Sequence, residues 1–335
     1  MTMRSPTFWW KKEWTLSTCL LYPFSLIYTA LVQRRLRRKG VKVSVPVICV
    51  GNFIVGGAGK TPTAIALAHM LHEQGYKCAF LSRGYGGRET GPVKVNTDQH
   101  TAQEVGDEPL LLSEHGLTIV SKDRVAGARF CEKLKVDLII MDDGMQNPAL
   151  HKDVVFSVLD TRGIGNGLCL PAGPLRAPVK NQSSLVDAVI AVDLVKEDFS
   201  IVQNEDLKNL IRFDAMIKPD KGAAEAVKGR RIVAFAGIGN PAKFYQTLFQ
   251  SGALIEKTYD FADHHSYAMN EIQTIILDAQ KKECAVVTTT KDFMRLKSMP
   301  GFDAIISQIT VFPVALKISD ERQLLQFLAK KLNKN

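Results

Sequence analysis

Three features of the sequence predict an α/β fold: a parallel sheet of the P-loop NTPase type, a second, smaller α/β lobe, and an N-terminal membrane-associated helical segment. A β-branched apolar run at residues 45–50 leads into a glycine-rich loop ending in Lys60-Thr61. A second apolar run, residues 136–141, ends in two adjacent acids, Asp142 and Asp143. A third, residues 231–236, restarts the strand–helix alternation after a charged stretch. Unbroken apolar runs of this length suit buried parallel strands, and their alternation with helices suits βα units. We expect a segment 1–40, a core 41–228 and a C-terminal lobe 229–335, within the range of two ordinary domains for 335 residues.

The N-terminus comes first. The net charge is +9, and residues 1–40 carry +7 of it, leaving +2 for the other 295. A basic body suited to nucleic acid is therefore not expected; the basic character belongs to one segment. Residues 14–33 carry no charge, have Trp9, Trp10 and Trp14 at one end, and precede the run RRLRRK. As a helix they would span roughly 30 Å, the thickness of a bilayer's hydrocarbon core. A cleaved signal is disfavoured, because the segment ends in arginines and lacks an A-x-A site. A transmembrane helix, an interfacial helix or hairpin held by RRLRRK on anionic lipid, and a buried helix of a soluble domain stay open. The six cysteines are scattered with no CxxC spacing, which fits a reducing compartment and no structural zinc.

The glycine loop runs Gly51 to Pro62 as GNFIVGGAGKTP, with a helix expected from Thr63 to a stop at Gly75. Backbone amides of Gly56, Gly57, Ala58 and Gly59, at a helix N-terminus, form a cradle for phosphate. Lys60 would reach the β/γ-phosphates of ATP, and the Thr61 hydroxyl would ligate Mg²⁺. Ile54 stands where the strict G-x-x-x-x-G-K-[ST] pattern has glycine, so the loop is a variant. Asp142 and Asp143 would lie at the carboxyl end of their strand, where open α/β sheets bind ligands, and read as metal-side acids.

Further on, residues 80–87 run from a strand into a second glycine loop, and Gly106-Asp107-Glu108-Pro109 opens a helix expected over residues 110–115. The sheet should continue through residues 154–159 and 188–192, followed by irregular charged sequence over 195–228. Residues 237–242 match G-x-G-x-x-A, but Pro241 more simply opens a helix ending near Gln250. Asp263-His264-His265 precedes a helix over residues 269–281. Adjacent histidines do not face one metal from regular structure; two readings stay open, a general base formed by one of them with a carboxylate, and an exposed histidine that merely precedes the helix, which the residues alone favour.

The ordered set GNFIVGGAGKTP, LSRGYGG, GDEPLLL, MDDGMQN, PAGPLRAP, FAGIGNPAKFY, FADHH and TTKDFMRL resembles the tetraacyldisaccharide 4′-kinases, the lipid A 4′-kinases of Gram-negative bacteria, over most of the chain. The resemblance implies ATP-dependent phosphorylation of the 4′-hydroxyl of a tetraacylated glucosamine disaccharide at the cytoplasmic face of the inner membrane, in a cleft between two lobes. It assigns Lys60 and Thr61 to the phosphate loop and Asp142 and Asp143 to the metal side. Asp107 and His264 become the pair that activates the sugar hydroxyl. Glu108 and Gln146, with Arg83, Arg124 and Arg176, fall near metal, nucleotide or substrate. Asn147 replaces a histidine of the family pattern, Ala177 a glutamate, and Thr290 the acid of TEKD.

Two rival readings fit the sequence less well. A membrane-tethered P-loop ATPase switch would carry a lysine directly before the glycine pair, where Val55 stands. A soluble P-loop ligase or small-metabolite kinase leaves the apolar, basic N-terminus unexplained.

Overall fold

The computed structural model describes residues 5–57, 59–194, 204–297 and 299–332. The chain opens with a short 3₁₀ turn, Thr7–Trp10, and one long helix, α1 (Leu16–Leu36), which carries Pro23 inside it and is not a hairpin. Then follow β1 (Val47–Gly51), α2 (Lys60–Glu73), β2 (Cys78–Ser82), β3 (Val93–Lys94), α3 (Ala102–Val105) and α4 (Asp107–Ser113). The first lobe goes on with β4 (Leu117–Val120), α5 (Arg124–Lys133), β5 (Leu138–Asp142), β6 (Val154–Leu159), α6 (Val179–Ser183) and β7 (Ala188–Val192). After α7 (Glu205–Lys208), β8 (Ile211–Pro219) and α8 (Lys221–Val227) comes the second lobe. It is built from β9 (Arg231–Ala236), α9 (Pro241–Gln250), β10 (Leu254–Asp260), α10 (Met269–Lys281), β11 (Ala285–Thr288), α11 (Thr290–Lys297) and β12 (Ile309–Val311). β13 (Val314–Ile318) and α12 (Glu321–Leu332) end the chain.

Among the described residues, nine strands form one sheet in the order β13-β8-β7-β6-β1-β5-β2-β4-β3. Its centre is parallel, and only the edge strands β13 and β3 run antiparallel to their neighbours. Alternation along β1 sends Val47 and Cys49 into the core on one face and Ile48 and Val50 into the core under α2 and α12 on the other. A strand covered on both faces has no polar side to show, which is why these runs read as continuously apolar. The second sheet, β10-β9-β11-β12, is all parallel and closes its own cores around Phe235 and Phe244.

Two expectations are corrected. The stretch expected to be irregular holds the nine-residue β8, paired with both β7 and β13. Its charges mask it: Phe213 and Ala215 are buried, while Arg212 and Asp214 pair with each other between them. Residues 195–203 of that stretch lie outside the described residues. The C-terminus also does not stay in the second lobe. β13 crosses back to β8 in the register Val314↔Pro219, and Leu324 and Leu328 of α12 join the core of the first sheet. The first lobe is thus completed by the last residues of the chain. Helix boundaries move as well, with α2 starting at Lys60 and α4 at Asp107, which brings both residues into a first helical turn.

Candidate active site

The phosphate loop hangs between β1 and α2. Gly59 caps α2 at φ +89°, a left-handed conformation that favours glycine, and Thr63 Oγ1 donates to its carbonyl at 2.8 Å. Lys60 Nζ donates to the Gly56 carbonyl at 3.2 Å and lies 3.6 Å from Asp143 Oδ2. Ala58 lies outside the described residues. Ile54, the departure from the glycine pattern, is buried, and its carbonyl accepts Arg176 Nε at 3.0 Å. A large apolar residue here anchors the loop's base against the body.

β5 lies beside β1 with Asp142 opposite Val50, which delivers both acids to the loop. Thr61 Oγ1 donates to Asp142 Oδ2 at 3.0 Å. Asp142 is 3% exposed, and its other oxygen, Oδ1, is buried without a hydrogen-bond partner among the described residues. Burial pushes this carboxyl up to about 7; Lys60 opposes the shift, and Asp143 and Glu108 add to it. A buried carboxylate oxygen left without a donor is costly unless a cation completes it. With the Thr61 hydroxyl it offers the hard oxygen donors that Mg²⁺ takes. Asp143 adopts φ +54° and is gripped by Arg176 through a two-pronged pair at 2.7 and 2.9 Å. Burial pushes its carboxyl up, but Lys60 and Arg176 outweigh that and hold it below the usual range. Asp142 therefore fits the cation better than Asp143 does.

Gln146 stands behind this cluster. Its amide nitrogen donates to the Asn52 carbonyl at 2.8 Å and to Gln182 Oε1 at 2.6 Å, and Gln182 in turn donates to Phe53 O. It braces the loop's entry from below. Arg124 is buried at the start of α5 and donates to Ser121 O at 2.6 Å. Burial and the neighbouring charge of Arg83 lower its pKa. Arg83 itself is exposed just beyond β2.

Asp107 and His264 meet across the two lobes. Asp107 Oδ2 lies 2.7 Å from His264 Nδ1, and Arg295 of α11 holds the same oxygen through Nε at 2.8 Å and Nη2 at 2.7 Å. Burial raises the Asp107 carboxyl, but the hydrogen bonds from His264 and Arg295 outweigh it and hold it far below the usual range. Asp107 is thus a fixed anion. His264 sits at φ +60°, and its Nε2 stands 4.0 Å from Glu108 and 3.8 Å from Asp263. His265 turns to Glu271 at 3.0 Å and stacks on Phe261, so it belongs to the cap of α10. The structure thus separates the two adjacent imidazoles.

Asp107, Glu108 and His264 offer ligand atoms within 4.8 Å of one another. Glu108, expected on the metal side, already holds Lys291 Nζ at 2.8 Å, and Arg295 holds Asp107. Protein cations supply the positive charge there. The two clusters share one cleft: Glu108 is near enough to raise Asp142, and a Cβ placed on Gly239 of the second lobe would lie 4.0 Å from the Gly57 nitrogen.

Several residues of the site carry no local mark in the sequence. Arg295 lies within the quoted TTKDFMRL, but nothing local marks its partner 188 positions away. Lys291, which bridges Glu108 and Asp263, is equally hidden. Arg162 pairs with Asp160, donates to the Gly57 carbonyl and lies over the Trp10 ring, joining the phosphate loop to the N-terminal segment. At the departures from the family pattern, Asn147 Oδ1 accepts from Ala149 N, and Ala177 is fully buried. Thr290 begins α11 without disturbing the contacts of Lys291 and Asp292.

A glycine loop at a helix N-terminus, with an unpartnered carboxylate oxygen beneath it and a carboxylate–imidazole pair formed between the two lobes, is the architecture of a P-loop phosphotransferase. Comparison with known proteins carries the assignment further. Residues 17–333 match the family described as tetraacyldisaccharide-1-P 4′-kinase, and the chain belongs to that family. It is 46% identical over 319 residues to the tetraacyldisaccharide 4′-kinase of Methylobacterium nodulans, covering 95% of this chain and 93% of that one. Against the protein of the same description from Bradyrhizobium diazoefficiens it is 40% identical, covering 99% and 97%. Its fold is similar to a crystal structure of LpxK from Aquifex aeolicus in complex with ATP, with a TM-score of 0.74 and 26% identity over 95% of this chain and 99% of that one.

Proposed function

We propose that this chain transfers the γ-phosphoryl group of ATP to the 4′-hydroxyl of a tetraacylated glucosamine disaccharide 1-phosphate, the lipid A precursor. The observation that carries the reading is the Asp107–His264 hydrogen bond, formed between lobes at the mouth of a phosphate loop. A P-loop ATPase switch has no use for a base delivered from a second lobe; a kinase for an alcohol of high pKa does.

Phosphoryl transfer asks the protein for alignment and charge neutralisation more than for covalent chemistry. The Gly56, Gly57 and Gly59 amides, with Lys60, hold the phosphates at the N-terminus of α2. Asp142 and Thr61 would hold Mg²⁺, which when bound neutralises charge on the β- and γ-phosphate oxygens. Asp143 and Arg176 form a fixed pair that sets the position of Lys60. Asp107, kept anionic by Arg295, accepts a hydrogen bond from the Nδ1–H of His264 and so leaves the lone pair on Nε2. That nitrogen takes the hydroxyl proton as the sugar oxygen attacks. Glu108 with Lys291 ties α4 to α11 and keeps the lobes in register. Arg83, exposed beside Arg124, remains for the anionic substrate.

α1 supports action at a membrane. One row of its polar side chains faces the protein: Ser25 donates to Cys169 O, Tyr28 to Arg176 O, and Gln33 to Asn181. Leu16, Leu20, Phe24, Ile27 and Leu31 form an exposed apolar stripe on the other side. A helix docked on a folded body with an apolar face turned outward suits an interfacial position, with RRLRRK reaching anionic headgroups. We place the enzyme at the cytoplasmic face of the inner membrane, where ATP is available.

The test is ATP consumption by the full-length protein with and without the tetraacylated disaccharide 1-phosphate in mixed micelles. Consumption that requires the lipid and yields a 4′-phosphorylated product supports the reading; consumption indifferent to the lipid contradicts it.

A further inference from the structure

Beside the catalytic pair stands an aromatic side chain that the mechanism does not use. Tyr85 is 71% exposed, and its ring meets the His264 imidazole edge-on, with centroids 5.9 Å apart and planes at 61°. An edge contact occupies little of a phenol ring, so an apolar face stays open to the cleft.

The backbone under Tyr85 leaves its position little freedom. Gly84 adopts φ +68°, and a Cβ there would lie 2.7 Å from Val120 Cγ1 and 2.8 Å from the Val105 carbonyl. Gly106 adopts φ +93°, and a Cβ there would lie 2.6 Å from the Tyr85 carbonyl itself. Arg88 and Glu89 donate to the carbonyls of Gln103 and Glu104, at 3.1 and 2.8 Å. The turn carrying Tyr85 is therefore seated on the residues that lead directly into Asp107. Such seating gives no packing benefit to a ring that points outward; it does hold that ring in register with the catalytic pair.

The group that must lie against His264 in the proposed reaction is a hydroxyl on a pyranose. One face of such a ring is lined by C–H bonds, and it is covered well by an aromatic face that cannot compete for its hydroxyls. We propose that Tyr85 is the platform for the acceptor sugar ring, setting which hydroxyl reaches His264. The proposal rests on the reading of the chain as a disaccharide kinase.

The experiment compares Tyr85→Ala, Tyr85→Leu, Tyr85→Phe and Tyr85→Trp in the full-length protein, with KM determined separately for the lipid disaccharide and for ATP. A sugar platform predicts a KM for the lipid raised about tenfold in the Ala and Leu variants, the scale of a lost aromatic stack. It predicts Phe and Trp near wild type, and an unchanged KM for ATP in all four. Restoration by Leu would assign the contact to an acyl chain and overturn the proposal. So would a lower kcat with unchanged KM in Tyr85→Ala, which would mean the ring only props His264. A wild-type enzyme inert toward the lipid would instead bring down the underlying reading, and the platform with it.

Discussion

Arg295 in the second lobe clasps Asp107 of the first through two nitrogens, at 2.8 and 2.7 Å, and donates to Asp292 at 2.7 Å from a third. Both acids are buried, so the guanidinium neutralises two carboxylates that have lost most of their water. Arg295→Ala should therefore lower stability by roughly 3–5 kcal/mol, as removal of one partner from a buried ion cluster does. Arg295→Lys should fall between. Thermal melts of the three proteins decide this, and a melting temperature for the Ala variant equal to wild type would refute the clamp.

Lys60→Ala and Asp142→Ala should each reduce turnover by orders of magnitude while the protein stays folded. Each removes charge from the transferring phosphoryl group and its cation, not from a packed core. Steady-state rates alongside circular dichroism test this. Survival of about a tenth of the activity in either variant would break the phosphate-loop assignment.

Asp142 also links the site to pH. Its carboxyl, at 3.8 ordinarily, stands at about 7 when folded, chiefly through burial. Between those values the folded state binds the proton and the unfolded state does not, so this group's contribution to stability falls as pH rises through the window. The penalty is complete above about pH 7. In metal-chelated protein, Asp142→Asn should raise stability by roughly 1–3 kcal/mol at pH 8 and by almost nothing near pH 4. Denaturant titrations at the two pH values check it, and equal effects at both would contradict the assignment.

The outward stripe of α1 makes its own prediction. Replacing Leu20, Phe24 and Ile27 with Ser should release the protein from vesicles of anionic lipid, and Arg34, Arg35, Arg37 and Arg38→Gln should act partway. Each basic residue near an anionic surface contributes about 1 kcal/mol, and that part alone should vanish with salt. Flotation assays read both effects. Unchanged partitioning of the Ser variant would make α1 a structural helix only.

Much of this architecture is legible in the sequence, for physical reasons. β1, β5, β6 and β7 are buried on both faces and so read as unbroken apolar runs; Gly59-Lys60-Thr61 is marked by the glycine its left-handed cap requires. β8 escapes because Arg212 and Asp214 interrupt its apolar residues and offset each other's charge only once folded. The return of β13 to β8 is a pairing about a hundred positions apart with no local signal. Lys60, Thr61 and Asp142 could be read from spacing, since the loop that follows β1 into α2 and the end of β5 are each marked by their own local sequence. Asp107 and His264 are 157 positions apart and became a pair only through resemblance to a family. The resemblance points to His264, and the fold adds that its neighbour His265 is tied to Glu271.

The central claim, that Asp107 and His264 act as one unit on a sugar hydroxyl, is tested most directly by a double-mutant cycle in kcat for lipid phosphorylation. His264→Ala should depress kcat strongly and leave the KM for ATP nearly unchanged, because ATP is held by the loop at α2 while the imidazole acts as the hydroxyl attacks. Asp107→Ala with His264→Ala should be scarcely worse than the more damaging single change. Losses that multiply in the double variant would contradict the account.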